Sequence, residues 1–173
     1  MMFLFSTAAA ASLDGRFETK CLSYSQNKAF KNEVEIKGQD FSSKFFLYDD
    51  KKCQNLLLVV DYSSEINYPT AIDLGPMDHK IKSALMIVFD ADIVKKLNTD
   101  KLCGKTVVRV GSPLSVAGMA YCGPLSIPAK GEVIFDMYQK TGSSISFGAH
   151  PLLWVRQEEK RPVLTSRVQY RSK

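Results

Sequence analysis

Few side chains in this chain could perform catalysis. Its two histidines, His79 and His150, are the candidates for the base of a serine–histidine pair. His79 follows Gly75-Pro76, which is typical of a turn, and His150 stands at the expected end of a strand, so both are predicted to lie at the surface. Residues 142–146, Gly-Ser-Ser-Ile-Ser, begin like a nucleophile elbow but lack its closing glycine, and a hairpin turn explains them better. The sequence therefore predicts no catalytic residue.

Paired carboxylates and cofactor motifs give no stronger signal. Asp49-Asp50 and Glu158-Glu159 are adjacent pairs, and neighbouring side chains on a strand point to opposite faces, so neither pair converges on one substrate. A turn that needs solubility is the expected role of such a pair. The chain has no phosphate-binding loop, no dinucleotide fingerprint, no calcium loop and no zinc-protease motif. We therefore expect no cofactor and no metal.

The four cysteines favour disulfides. They are Cys21, Cys53, Cys103 and Cys122, and an even number in an exported chain indicates a disulfide framework. Three pairings are possible, and we favour Cys21–Cys53 and Cys103–Cys122 because each joins segments close in sequence. Zinc is the competing interpretation, but there is no C-x-x-C pair and no histidine at ligand spacing.

The first residues are typical of a targeting segment. Residues 1–11 read MMFLFSTAAAA, too short to span a bilayer but similar to the apolar region and small-residue cleavage site of a signal peptide. No basic residue precedes the apolar run, and a buried terminal strand or helix is the alternative. We expect a signal peptide over 1–11, one domain over 12–173 and a periplasmic or secreted location. No second apolar run is long enough to predict a transmembrane segment.

Composition fits one globular domain with a modest basic excess. The chain has 173 residues, 45% of them hydrophobic, and a net charge of +5. Basic residues are densest between Arg156 and Lys173, diluted by two glutamates. A solvated strand face explains this segment at least as well as a binding patch does. We expect no nucleic-acid partner.

Short apolar runs separated by turn residues predict an all-β fold. Asn32 to Lys37 alternates charged and apolar residues like a half-buried strand, whereas Leu56 to Tyr62 and Ser83 to Phe89 are apolar enough to be buried on both faces. One short helix is predicted at Asp90 to Leu97, capped by Asp90. Gly111 to Lys130 is rich in glycine and proline and predicts a long irregular loop. Further strands are predicted at Ile66–Leu74, Lys105–Val110, Val133–Gln139, Ser144–Phe147, Leu152–Arg156 and Val163–Tyr170.

Many short strands at close spacing predict a β-sandwich or a β-barrel. The order of residues resembles the lipocalin-like, calycin-type barrels of the bacterial envelope. Gly15-Arg16-Phe17 opens the first strand where lipocalins carry G-x-W, and residues 48–53 resemble a Y-x-D-x-x-C turn. The resemblance implies an antiparallel up-and-down barrel of about eight strands with a ligand-sized mouth, and the β-sandwich is then the alternative fold. It also implies a disulfide from that turn back to the first strand. It further implies that a basic residue within Arg167 to Lys173 lies against the first-strand aromatic.

Two functions are compatible with this fold. The first is an exported, non-enzymatic protein that holds a small apolar or amphipathic ligand inside the barrel. The second is an envelope protein-interaction module or inhibitor with a filled core, whose contact would be the loop Gly111 to Lys130. Alternate positions on the central strands are the predicted pocket lining: Phe45, Leu47, Leu58, Val60, Met86 and Val88.

Overall fold

The computed structural model describes residues 12–69, 72–119, 122, 127–150 and 154–173. The expected signal peptide therefore lies outside the described residues. The elements in chain order are β1 (Gly15–Glu18), β2 (Leu22–Ser23), β3 (Ala29–Lys37), β4 (Asp40–Tyr48), β5 (Leu56–Asn67), β6 (Leu74–Val88), α1 (Ala91–Thr99), β7 (Leu114–Ser115), β8 (Val133–Thr141), β9 (Ser144–Phe147), a 3₁₀ turn (Glu158–Lys160) and β10 (Gln169–Ser172).

Eight of these strands form a closed antiparallel barrel. Around the wall the order is β1, β3, β4, β5, β6, β8, β9 and β10, so each strand lies beside its neighbour in the chain. Phe17 of β1 pairs with both Val34 of β3 and Ser172 of β10, which closes the ring. The predicted up-and-down barrel is confirmed. The alternative β-sandwich is wrong, because a sandwich keeps open sheet edges where this sheet meets itself.

Alternation of side chains sets the two faces of the wall. In β3, Asn32, Val34 and Ile36 are buried, while the residues between them are partly exposed. Every other residue of a strand points to the same side, so these three side chains face the interior. Residues that pair across neighbouring strands point to the same side of the sheet. The inward face therefore continues into β4 and β5, because Val34 pairs with Ser43 and Ser43 pairs with Tyr62.

Turn chemistry fixes the ends of the hairpins. Gly38, between β3 and β4, and Gly142, between β8 and β9, both have φ of +58°, which a glycine adopts without steric cost. Between β4 and β5 the Asp50 carboxylate accepts backbone N–H groups from Lys52, Gln54 and Asn55 at 2.6–3.0 Å. Asp50 thus organises its turn and does more than keep it soluble. These bonds hold its pKa below the usual range, the N–H of Asn55 contributing most.

Helix α1 lies where the sequence predicts it. The Asp90 carboxylate accepts the N–H of Ile93 at 2.8 Å, so the predicted cap is confirmed. Val94 and Leu97 are buried in the same core cluster as Met86 and Val88 of β6. The helix and the segment after it therefore cover one end of the barrel, which we call the helix end. We call the opposite end, which carries the Gly38 and Gly142 turns, the hairpin end.

Several predicted strands are wrong. The sequence predicts a single strand over Ile66–Leu74, but β5 ends and β6 begins within this range, and residues 68–69 and 72–73 between them are not strand. Residues 70–71 of the same prediction lie outside the described part of the chain. Lys105–Val110 is irregular, and the last strand begins at Gln169 rather than Val163. Of Leu152–Arg156, residues 154–156 are irregular and 152–153 lie outside the described residues. In the loop predicted at Gly111 to Lys130, a two-residue strand, β7, pairs with β6.

Both disulfides of the favoured pairing are present. Cys21–Cys53 ties the segment after β1 to the turn before β5, as the lipocalin resemblance implies, and Cys103–Cys122 closes the segment that follows α1. No helix among the described residues combines the length and apolarity that a membrane crossing requires.

Removing the first disulfide should destabilise the barrel. The bond joins residues 32 positions apart, and cross-linking a loop of that length restricts the unfolded chain by about 3–4 kcal/mol. We expect the double substitution Cys21→Ser, Cys53→Ser to lower the free energy of unfolding by that amount in urea titrations without reductant. The reduced wild type is the reference for loss of both bonds. A change below about 1 kcal/mol would contradict the loop-closure argument.

Candidate functional site

The six predicted ligand residues lie on one face of three adjacent strands. Phe45 pairs with Val60, which pairs with Met86, and the next row along the strands is Leu47, Leu58 and Val88. All six belong to the core cluster or pack against it, so the wall turns them inward. The structure thus brings them together, and a role in ligand binding stays a prediction.

The interior of the barrel is filled with side chains. A cavity wide enough for water would leave accessible surface on the residues that line it. Instead, the large inward side chains Phe41, Tyr138, Phe147 and Tyr170 are at most 1% exposed. Met86 and the other three members of the predicted set on β5 and β6 are buried as well. These side chains pack together as in the core of a small barrel.

The helix end is packed less completely. Phe45 and Leu47 are only half-buried, although the Phe45 ring stacks on Phe30 at 5.4 Å between centroids. Grooves of about 280, 300 and 420 Å³ occur on the outside of the wall, lined mainly by charged residues such as Arg16, Glu35 and Lys82. None of these three grooves is lined by a residue of the predicted set.

A polar cluster lies inside the barrel around His150. Its Nε2 is 2.6 Å from the Asn32 amide nitrogen and 3.2 Å from the Ser43 hydroxyl, and its Nδ1 is 2.8 Å from the Tyr62 hydroxyl. The same Asn32 nitrogen donates to the Tyr170 hydroxyl at 2.9 Å. These five side chains, which we call the His150 cluster, come from β3, β4, β5, β10 and the segment after β9, and all are buried.

The hydrogen bonds assign a role to each atom of the His150 cluster. The Asn32 amide can only donate to Nε2, so Nε2 accepts and Nδ1 carries the proton that is donated to Tyr62. The Ser43 hydroxyl donates to the Asn32 carbonyl oxygen at 3.0 Å. The serine proton is thus held by an amide rather than by the imidazole, and a phenol rather than a carboxylate orients the ring. This arrangement lacks the order of donors found in a serine–histidine–aspartate triad.

Asp136 holds the chain that carries His150. Its carboxylate accepts the backbone N–H groups of Met137, Ala149 and His150 at 2.7–3.1 Å. These bonds fold the segment after β9 inward, so the imidazole enters the barrel. The Arg161 guanidinium donates to the backbone carbonyl oxygen of Asp136 at 2.9 Å and to the Asp78 carboxylate at 2.5 Å. Asp136 is thus a positioning residue for His150.

Burial controls the ionisation of these groups. Desolvation lowers the pKa of His79 to about 3 and lowers that of His150 well below its usual value. Desolvation also raises the pKa of Asp136 to about 6, against the opposing effect of its backbone donors. Both imidazoles are therefore neutral near pH 7, which suits an interior that offers them hydroxyl and amide partners.

The prediction that both histidines lie at the surface is wrong. His79 is part of β6, faces inward and lies 3.2 Å from the Ser64 hydroxyl and 4.7 Å from the Phe41 ring centroid. A signal was present, because Met77, His79 and Ile81 alternate with charged residues as in a half-buried strand. The glycine and proline just before suggested a turn, but they lie within β6. For His150 the sequence offers no such alternation.

The lipocalin-like first strand is only partly reproduced. Phe17 is buried inside the barrel, and its ring lies over Gly15, where an added Cβ would come within 3.0 Å of it. The basic residue beside it, Lys173, pairs with Glu18 and Glu33 at 3.0 and 2.8 Å. Lys173 lines the same groove as Phe17, and its ammonium group is held there by the two carboxylates.

A second candidate site is the segment that follows α1, residues 105–111, which we call the display segment. Asn98 of α1 accepts the N–H of Val108 at 2.8 Å and donates to its carbonyl oxygen at 2.9 Å. Val108 is buried, whereas Val107 and Val110 are 68% and 51% exposed. Gly111 donates to the Val88 carbonyl oxygen at 2.8 Å, which returns the chain to β6. The segment is thus fixed at Val108 and at Gly111 and presents apolar side chains to solvent.

Comparison with known proteins does not assign a family. No protein-family model matches the chain, and no curated protein matches it significantly. The closed barrel of eight antiparallel strands with one helix is consistent with a calycin-like fold.

Truncation of an inward side chain distinguishes a filled core from an open pocket. Met86 is buried among core residues, so Met86→Ala should leave a cavity and lower the free energy of unfolding by about 2–5 kcal/mol. Met86→Leu, which conserves volume, should cost less than about 1.5 kcal/mol. Urea titration measures both. Equal, small costs for the two variants would indicate that Met86 lines open space.

The buried histidines make stability depend on pH. A folded-state pKa below the usual 6.5 means that acid favours the unfolded chain, in which the histidine can take up a proton. The contribution of His79 to the free energy of unfolding is therefore full above pH 6.5 and is lost as the pH falls towards 3. Lowering the pH from 7.5 to 5 should cost about 2 kcal/mol for His79, and His150 acts in the same direction. The raised pKa of Asp136 opposes this effect between about pH 6 and 3.8.

The variant His79→Gln should therefore lose about 2 kcal/mol less than the wild type over the same pH change. Ser64→Ala, which removes the partner but keeps the imidazole, should retain the wild-type pH dependence. Urea midpoints at pH 7.5 and 5 measure both variants. An unchanged pH dependence in His79→Gln would show that His79 is not held neutral.

Proposed function

We propose that this protein is an exported, non-enzymatic interaction module: the barrel is a rigid scaffold, and the loops of its helix end bind another protein. The observation that carries the proposal is the filled interior. A small-molecule site typically needs a cavity of several hundred Å³, and the inward side chains leave no accessible surface of that kind around Phe41, Tyr138 and Phe147. The two disulfides favour an oxidising compartment, hence export.

Burial also argues against catalysis within the barrel. His150, Ser43 and Tyr62 are each at most 5% exposed, so a substrate would have to displace packed core residues to reach them. Their hydrogen bonds are satisfied within the His150 cluster, which is the usual state of polar groups in a stable core. We therefore assign this cluster to the scaffold.

The helix end offers the better surface for recognition. Exposed apolar side chains occur there at the end of β6, directly after it and in the display segment, and contiguous patches of such side chains mark interaction sites. Phe89 and Leu85 are 44% and 38% exposed, and Val107 and Val110 are more exposed still. The loop predicted as the contact, Gly111 to Lys130, continues directly from this segment, and Cys103–Cys122 ties the two together.

A small-ligand carrier, as in the lipocalin-like proteins that the sequence resembles, is the second candidate. It is favoured by the half-buried Phe45 and Leu47 at the helix end, where a ligand could enter between the strands and α1. Such a ligand would have to displace Met86 or Val88 to go deeper.

Native mass spectrometry of the protein purified from an oxidising compartment separates the two proposals. The interaction module predicts the mass of the bare chain with two disulfides. It also predicts no uptake of a hydrophobic fluorescent probe. A stoichiometric small-molecule adduct would contradict the module and support the carrier. Four free thiols would contradict export.

A further inference from the structure

The backbone of the display segment is held in one conformation. The N–H and the carbonyl of Val108 both reach the side chain of Asn98, and the two groups point the same way only when the residue is extended. Neighbouring residues of an extended chain point their backbone groups in the opposite direction. Both backbone groups of Val107 and the N–H of Arg109 therefore point away from α1 and towards solvent.

That outer edge is free to pair. Among the described residues, the N–H and carbonyl of Val107 and the N–H of Arg109 have no hydrogen-bond partner. Unpaired strand-like edges are the surfaces on which a second chain adds by main-chain hydrogen bonds. Asn98 already holds Val108 by two hydrogen bonds, so less conformational entropy would be lost when the segment binds.

The charge around this edge is predominantly positive. Residues 95–111 contain five cations and a single anion, Asp100. All five cations are exposed and, within the described ranges, none forms an ion pair: Lys95, Lys96, Lys101, Lys105 and Arg109. A partner with a complementary acidic cleft would gain both encounter rate and orientation.

The chain turns sharply after Arg109. Ser112 donates to the Arg109 carbonyl oxygen at 3.2 Å, and Gly111 is bound to β6. The extended stretch thereby ends at Arg109, and the Gly111 bond returns the chain to β6, although Val110 itself stays exposed. The disulfide Cys103–Cys122 encloses this turn, so both sides of the Arg109–Val110 bond stay attached to each other whether or not that bond is intact.

We propose that the display segment binds, in the manner of a substrate, to the cleft of an endopeptidase that cleaves after basic residues, with Arg109 in the acidic specificity pocket. This inference rests on the proposed function and names its partner. An extended chain, a free edge at alternate residues and an exposed arginine are what such a cleft recognises. Asn98 and the turn hold the scissile bond in place, which makes the protein an inhibitor rather than a substrate.

The chemistry is ordinary peptide hydrolysis, slowed. Water would add across the Arg109–Val110 bond to give a carboxylate on Arg109 and an amine on Val110, and the disulfide would keep the two new ends in one molecule. Because the ends cannot diffuse apart, the cut bond can re-form within the complex. The peptidase is thus occupied without net turnover.

The test is inhibition of trypsin on a chromogenic arginine substrate by the full, oxidised protein. We expect stoichiometric inhibition, and Arg109→Ala should weaken it by at least about 30-fold, as expected for a central interface residue. Arg109→Lys should stay within about tenfold of the wild type, since both side chains place a cation in the pocket. Arg167→Ala is the matched control, because Arg167 is an exposed arginine outside any strand, and it should inhibit like the wild type.

A second variant tests the clamp. Asn98→Asp keeps the acceptor for the Val108 N–H but loses the donor to its carbonyl, so trypsin should cut Arg109–Val110 faster. Mass spectrometry before and after reduction would detect this cut, since the fragments separate only on reduction. Absence of inhibition by the wild type, rapid turnover of its Arg109–Val110 bond, or equal inhibition by Arg109→Ala would each overturn the peptidase assignment. Those outcomes would not contradict the proposed interaction module, because native mass spectrometry tests the absence of a bound small molecule separately.

Discussion

The inside of a closed eight-stranded barrel has room for about one layer of inward side chains, and in this protein large aromatic residues occupy that room. Any polar group that points inward must then find its partner among its neighbours, because an unpaired one costs about 1–3 kcal/mol. The His150 cluster meets this requirement with groups from four strands. No buried side-chain nitrogen or oxygen in the described part of the chain lacks a hydrogen-bond partner. The cluster thereby links both halves of the wall.

A filled interior moves recognition to the outside of the molecule. Helix α1, the disulfide Cys103–Cys122 and the Asn98 clamp form a compact layer over one end, with Val108 turned into the core and its neighbours turned out. A loop fixed in this way depends on the barrel only as a support. The same barrel wall could thus carry loops of other chemistry.

An all-β fold, helix α1 and both disulfides could be predicted, because alternation, a capping aspartate and cysteine spacing are local signals. These signals left a barrel and a sandwich open, and only the lipocalin resemblance favoured the barrel. The inward positions Phe45, Val60 and Met86 also followed from alternation. The His150 cluster could not be predicted, since its members are up to 138 positions apart and only the closed register brings them together. The display segment looked like a strand because valines favour strands, but the Asn98 side chain satisfies Val108 in place of a neighbouring strand.

The central claim is that the barrel interior holds side chains and nothing else. Xenon enters dry apolar cavities, so crystals of the purified protein under xenon pressure test this claim directly. The account predicts no xenon site among Phe45, Val60, Met86 and Val88, with the gas confined to surface positions. An ordered xenon atom, or ligand density already present between these side chains, would contradict it and return the ligand-binding function to first place.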